Sequence, residues 1–312
     1  MKAAYIEEFG GPETIKTGAL EPPDVKEGEM LVRVKAAGVN PVDTAVIHGY
    51  MKDALPHEFP IIPGWDMAGV VEERGFGARR FEVGDSVYAY ARRPSVQWGT
   101  FAEYIVIPEC YLSLKPGNIS YEEAGGIPLV TLTAYQSLYV AGDLQDEQTV
   151  LLLGASGGVG SMAIQLAKAR GAKVIGVASE KNHSYLKELG ADETIDYHDT
   201  NIGEAVMDLQ PKGVDLIFDC AAGETLQQSL PALKSSGKLV SILSRGENLG
   251  PNIKFEYVFV EPNSSHLDHL RALVESDKIR VPVSKTYSLD EAADALSQIQ
   301  TLHTRGKTCI IP

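Results

Sequence analysis

Thr149-Val150-Leu151-Leu152-Leu153, followed at once by Gly154-Ala155-Ser156-Gly157-Gly158-Val159-Gly160, is the stretch that decides the fold. A continuous apolar run of this length, without polar alternation, suits a strand buried on both faces, as in a parallel sheet. Beyond the glycines, Val159, Met162, Ala163, Leu166 and Ala167 fall at i, i+3, i+4, i+7 and i+8, which makes one apolar face of a helix ending near Gly171. Strand, bare turn and helix together form an anion site, because N–H groups at a helix N-terminus point at a phosphate and glycine keeps side chains out of its way. The spacing is GxxGGxG rather than the commoner GxGxxG, and a plain tight turn also uses glycine. The position between these two elements favours a dinucleotide pyrophosphate held by Gly154, Ala155, Ser156, Gly157, Gly158, Val159 and Gly160.

Downstream, strands are expected at 173–178, 193–196, Val214–Asp219 and 238–243, each separated from the next by enough chain for a crossover helix. That rhythm predicts an α/β fold with a doubly wound parallel sheet. A helix over 264–276, a short strand near 283–287, a helix over 289–299 and a last strand over 308–311 follow, and this tail is expected to return to the first domain. Upstream of about residue 120 the texture differs. Short alternating stretches at 31–35, Ser86–Tyr90 and 101–106, separated by turns at Pro22-Pro23, Gly64 and Gly84-Asp85, predict a small antiparallel barrel.

The 312 residues suit two domains, and 44% hydrophobic with 22% charged residues is a globular balance that excludes wholesale disorder. The net charge of −14, with no run of Lys and Arg, opposes phosphate backbones, so no nucleic-acid partner is expected. Apolar runs are short and broken by glycine or charge, so no membrane partner is expected either. Cys110, Cys220 and Cys309 are too scattered for a disulfide framework or a CxxC knuckle. With the polar, acidic start of the chain, this predicts a cytoplasmic protein.

The end of the second strand bears on the choice of nucleotide. A carboxylate there suits the ribose 2′-hydroxyl of NAD and repels a 2′-phosphate. Val177-Ala178-Ser179 is followed by Glu180 and Lys181, so a hydroxyl donor and a cation favour NADPH; the other reading makes Glu180 the ribose ligand and Lys181 a solvated surface residue. A short-chain dehydrogenase is disfavoured, since its Tyr-x-x-x-Lys pair belongs after the glycine turn and Tyr111 and Lys115 precede it.

Five stretches occur in one order: Gly38-Val39-Asn40-Pro41-Val42-Asp43, the run from Pro60-Ile61-Ile62-Pro63-Gly64-Trp65-Asp66 to Val71, Gly84-Asp85-Ser86-Val87-Tyr88, Leu132-Thr133-Ala134-Tyr135, and the glycine turn. On these the whole chain resembles the medium-chain dehydrogenase/reductase superfamily, in its zinc-independent quinone oxidoreductase branch, which includes zeta-crystallin. The resemblance implies a GroES-like catalytic β-barrel over 1–122, completed by 280–312, and a Rossmann NADPH-binding domain over 123–279. Zinc-dependent relatives have Cys where this chain has Asn40, His where it has Trp65, and a third ligand near Leu129; none of these is a good zinc ligand. His266 and His269 share a helical face and offer either a metal pair or plain surface residues.

By the same resemblance Asn40, Asp43, Tyr50 and Thr133 are the expected catalytic residues, with Asn40 and Thr133 also touching the nicotinamide. Ser179, Lys181 and Tyr197 match positions that hold the 2′-phosphate, and Leu243 and Ser244 lie in a loop beside the nicotinamide. Tyr197 reads equally as a packing residue, Asn40 as a turn former and Thr133 as a helix cap. The acceptor is expected to stack near Tyr50 and Trp65, while Ala45 and Met51 stand where relatives carry aromatic residues, which leaves substrate shape open. The expected activity is zinc-independent transfer of hydride from NADPH to a small quinone by a homodimer, the product protonated by solvent or a hydroxyl. The alternatives are 2-alkenal or enone reduction, a non-catalytic NADPH-binding protein and, more remotely, a methyltransferase.

Overall fold

Residues 1–247, 249–281, 283–301 and 306–312 are described by a computed structural model. The chain divides into two units, Met1–Leu129 with Glu261–Pro312, and Val130–Val260.

The second unit is built on one six-stranded sheet in which Glu193–Ile195, Lys173–Val177, Thr149–Leu153, Val214–Asp219, Leu233–Ser241 and Lys254–Tyr257 lie side by side in that order, all parallel. The first strand in sequence is third in space, so the winding reverses beside it, and the crevice at the carboxyl ends of the strands opens at that switch point. All of Thr149–Leu153 is buried. Leu151, Leu153, Ile175, Val177, Ile217 and Leu239 form a core with Ile202, Val206 and Leu226, each large aliphatic side chain contributing about 1.5–3 kcal/mol. The helix Gly158–Ala169 buries the expected Met162, Ala163, Leu166 and Ala167, and also Ile164 and Gln165. Its start lies hard against the turn, since a Cβ on Gly160 would sit 2.4 Å from the Gly154 carbonyl oxygen. The fifth strand begins at Leu233 rather than at 238, because Leu233 resumes pairing with Val214 beyond a register shift.

In the first unit the Glu29–Val39 strand serves three partners. It pairs antiparallel with Asp66–Arg74 along most of its length, with Tyr104–Pro108 at its start and with Lys307–Ile311 at its end. The sheet continues through Ser86–Tyr90 to Ser113–Leu114 on one side and to Val283–Ser288 on the other. The tail therefore returns as expected, but its two strands run parallel to each other, joined by the helix Ala292–Gln300. The helix Ser264–Glu275 also belongs here: the Tyr88 hydroxyl donates to the Leu267 carbonyl at 2.7 Å, Ser113 to Asp268 at 2.5 Å and the Asn118 amide to the Val274 carbonyl at 3.0 Å. These bonds place that helix in the first unit, with the second division at 260/261 where 279/280 is expected; the first division lies at 129/130 where 122/123 is expected.

Candidate functional site

The glycine turn leaves donors without partners. Gly154 has φ +72°, a conformation that suits glycine. Gly157 is the N-cap of Gly158–Ala169 and has no side chain to cap it. The first closed turn begins only at Ser161, whose N–H reaches the Gly157 carbonyl at 2.9 Å, so the amides of Gly158, Val159 and Gly160 precede it as orphan donors. A Cβ on Gly157 would meet only the Gly154 carbonyl oxygen, at 3.5 Å. Its outer face is open, and a chain with side chains there would fill the cradle. The residues present thus fit the pyrophosphate of a dinucleotide.

Asn182, which the sequence reading missed, joins this turn to the next strand end, its amide donating to Ser156 Oγ at 3.3 Å and Ser179 Oγ at 3.1 Å. Asp196, also missed, accepts from the Glu180 N–H at 2.8 Å and the His198 N–H at 2.9 Å, tying the segment after Ser179 to the one carrying Tyr197. Those backbone bonds, led by His198, hold its carboxyl below the usual range. Lys181 is exposed. Tyr197 is half exposed with its ring 4.1 Å from that of His198, so it is not a core packing residue. Ser156, Ser179, Lys181 and Tyr197 are thus gathered at one end of the sheet.

At the carboxyl ends of the next two strands, on the other side of the switch point, Asp219 and Ser241 are fully buried and bonded to each other, the hydroxyl donating to the carboxylate at 2.7 Å. Asp219 also accepts from the N–H groups of Ala221 and Ala222 at 3.0 and 2.7 Å, while Ser241 Oγ accepts from those of Leu243 and Ser244 at 3.1 and 2.9 Å. Ala222 has φ +58° and ψ −166°, a region nearly confined to glycine and costing about 1–3 kcal/mol. Ala222, Gly223, Leu226, Gln227, Ser244 and Glu247 line a hollow beside these loops. Thr133 is buried inside the helix Pro128–Tyr135 and is not its cap.

In the first unit Asn40 precedes the helix Pro41–Ile47, and its N–H donates to the Asp43 carboxylate at 2.8 Å. Its side chain lies between two charges. Lys307 Nζ donates to Oδ1 at 2.5 Å, and Nδ2 donates to Asp66 at 2.9 Å. An ammonium only donates and a carboxylate only accepts, so the amide orientation is forced. The Leu129 N–H completes Asp66 at 2.6 Å, whereas one oxygen of Asp43 is buried without a hydrogen-bond partner. Burial, with the Asp66 charge adding to it, pushes Asp43 up to about 8 against the opposing Asn40 bond and Lys307. Burial likewise raises Asp66 to about 7, opposed by Lys307 and the Asn40 side chain, and lowers Lys307, opposed by the carboxylates. Asn40 and Asp43 of this cluster are expected site residues, whereas Lys307 and Asp66, which complete it, are absent from the sequence reading of the site.

Tyr50 is 78% exposed. Trp65 is 5% exposed and packs edge-on against Tyr90 with centroids 6.1 Å apart. Burial, then the proximity of His269, lowers His266. Among the described residues no three metal-binding side chains converge.

Comparison with known proteins agrees with this arrangement. The family described as zinc-binding dehydrogenase matches residues 158–257, and that described as alcohol dehydrogenase GroES-like domain matches 26–117. The chain is 34% identical to the NADPH-dependent alkenal/one oxidoreductase of Arabidopsis thaliana, over all of this chain and 80% of that one. Among solved structures it resembles the quinone oxidoreductase from Coxiella burnetii, with TM-score 0.90 and 31% identity over 100% of this chain and 99% of the other. The Escherichia coli quinone oxidoreductase complexed with NADPH matches with TM-score 0.88 and 25% identity over the whole of both chains.

Proposed function

The chain belongs to the medium-chain dehydrogenase/reductase superfamily, among its quinone and alkenal oxidoreductases, and from that premise we propose that it is an NADPH-dependent oxidoreductase that passes hydride to a small quinone without zinc. The observation that carries this reading is the uncapped turn Gly157–Gly160 at the switch point of the parallel sheet.

NADPH, when bound, supplies the hydride. Gly158, Val159 and Gly160 grip the pyrophosphate through their N–H groups, and Ser179, Lys181 and Tyr197 take the 2′-phosphate. We assign the nicotinamide to Thr133 and the loop of Leu243 and Ser244, and the hydrogen bond to the acceptor's carbonyl oxygen to Asn40, with Asp43 and Tyr50 as its companions in the first unit. A conjugated acceptor needs its oxygen hydrogen-bonded and its reactive carbon aligned; solvent or a hydroxyl returns the proton. Zinc independence is supported by chemistry at Asn40, since the Lys307 ammonium 2.5 Å from its amide oxygen repels a cation. A second reading, reduction of a short 2-alkenal, is favoured by the name of the Arabidopsis relative.

A homodimer is supported by the Lys254–Tyr257 strand, which ends the sheet and leaves an edge to be paired. The net charge of −14 opposes anionic surfaces and supports a small-molecule substrate rather than a nucleic-acid or membrane partner. Three free cysteines, Cys110 exposed among them, support a reducing compartment such as the cytoplasm.

Rapid mixing of NADPH-loaded protein with a quinone, and separately with a short 2-alkenal, tests the reading. Nucleotide oxidation with the quinone is expected. Oxidation with the alkenal alone transfers the assignment to the second reading. Tight binding without turnover marks a binding protein, and stoichiometric zinc in active protein overturns the metal-free mechanism.

A further inference from the structure

We infer that Asp219 is a positioning residue for the nicotinamide half of the nucleotide site, holding directly the loop that follows the fourth strand of the parallel sheet and, through Ser241, the loop that follows the fifth. The inference rests on the nucleotide reading above and adds to it a residue and a role.

The placement follows from the winding. Ser179 follows the Lys173–Val177 strand on one side of the switch point, where the adenosine half lies; Val214–Asp219 and Leu233–Ser241 are on the other side and serve the second half. Neither Leu243 nor Ser244 reaches its position through sheet pairing. Both are held by a single hydroxyl.

The Ile242 N–H meets the Asp219 carbonyl at 3.2 Å, and beyond it the loop is held through the Asp219 side chain. A serine hydroxyl has one proton and two lone pairs. Ser241 uses its proton on Asp219 and both lone pairs on the N–H groups of Leu243 and Ser244. The carboxylate must accept, so the direction of the O–H bond is set, and the lone pairs are thereby aimed at the loop. The second carboxylate oxygen takes the N–H groups of Ala221 and Ala222, including the residue at φ +58°. One buried anion thus spans both loops and keeps Ala222 in a conformation it would otherwise leave. Asparagine at this position can satisfy one side only, because its NH₂ would face either the Ser241 proton or the Ala221 and Ala222 donors.

Isothermal titration of Ser241→Ala and Asp219→Asn with NADPH, and with 2′-phospho-ADP-ribose, which lacks the nicotinamide, tests this. Ser241→Ala removes one buried hydroxyl and is the variant to use should Asp219→Asn fail to fold. The Kd for NADPH is expected to rise about tenfold, with that for 2′-phospho-ADP-ribose changing less than about twofold. In the nucleotide-free protein, amide exchange across 241–246 is expected to quicken. Equal weakening of both ligands would mean a merely structural role, and unchanged NADPH binding with unchanged exchange would remove Asp219 from the site. Should the unsubstituted protein bind neither ligand, the cofactor reading falls and takes this inference with it. Should it bind both and the variants match it, only the inference falls.

Discussion

Single residues divide into those whose chemistry shows in their type and those whose role depends on company. Lys181 is of the first kind, a cation just past the second strand. Replacing it with alanine is expected to raise the KM for NADPH about tenfold and to leave that for NADH within about twofold, measured by steady-state kinetics. Equal effects would return Lys181 to the solvated surface and Glu180 to the ribose. Asp43 is of the second kind. Its folded pKa, about 8, lies above its unfolded value, so the folded state binds the extra proton. The stability this provides is full below about pH 4 and is lost as pH rises toward 8. Thermal unfolding should therefore show Tm falling from about pH 5 to pH 8, and Asp43→Asn should flatten that fall and add about 1–3 kcal/mol at the alkaline end. A Tm profile unchanged by the substitution would mean that Asp43 titrates normally in the fold.

Among the elements, the strand, turn and helix around Gly154 separate two uses of glycine. A Cβ on Gly160 would lie 2.4 Å from a backbone oxygen that cannot move aside, whereas one on Gly157 would make only an ordinary contact, 3.5 Å from the Gly154 carbonyl oxygen. Gly160→Ala is expected to destabilise the protein by about 1–3 kcal/mol, seen in urea unfolding. Gly157→Val is expected to leave folding nearly unchanged and weaken NADPH at least about tenfold, seen by calorimetry, because the side chain occupies the phosphate cradle. The reverse pattern would misplace the anion site. The same elements were the most legible in the chain. An unbroken apolar run and a 3.6-residue stripe are local signals of one period each. The 264–276 helix was equally legible as a helix, but its allegiance was not, since three side-chain and backbone bonds from Tyr88, Ser113 and Asn118 decide it.

For the whole molecule, the edge strand Lys254–Tyr257 predicts association. Sedimentation equilibrium is expected to give twice the 33.7 kDa chain mass. The Val258 N–H bonds the Ser241 carbonyl, so the Tyr257 N–H faces the free edge, and Tyr257→Pro is expected to shift the balance toward monomer; a monomer at all concentrations would leave that edge unpaired. Amino-acid order alone determined the doubly wound sheet, the bare glycine turn and the cation after the second strand, because each is a matter of periodicity or residue type within a short window; that Asn40, Trp65 and Leu129 stand where zinc-dependent relatives carry ligands came from the family resemblance. Asn182, Asp196 and Asp219 escaped that reading, since a polar residue at a strand end looks the same whether it caps a neighbouring loop or meets water. Only the tertiary structure decided that Lys307 lies against Asn40, 267 residues earlier in the chain, and that two carboxylates share their burial. Long-range pairing of the last strand with Glu29–Val39 creates that contact, and burial then makes the charges of those side chains depend on one another.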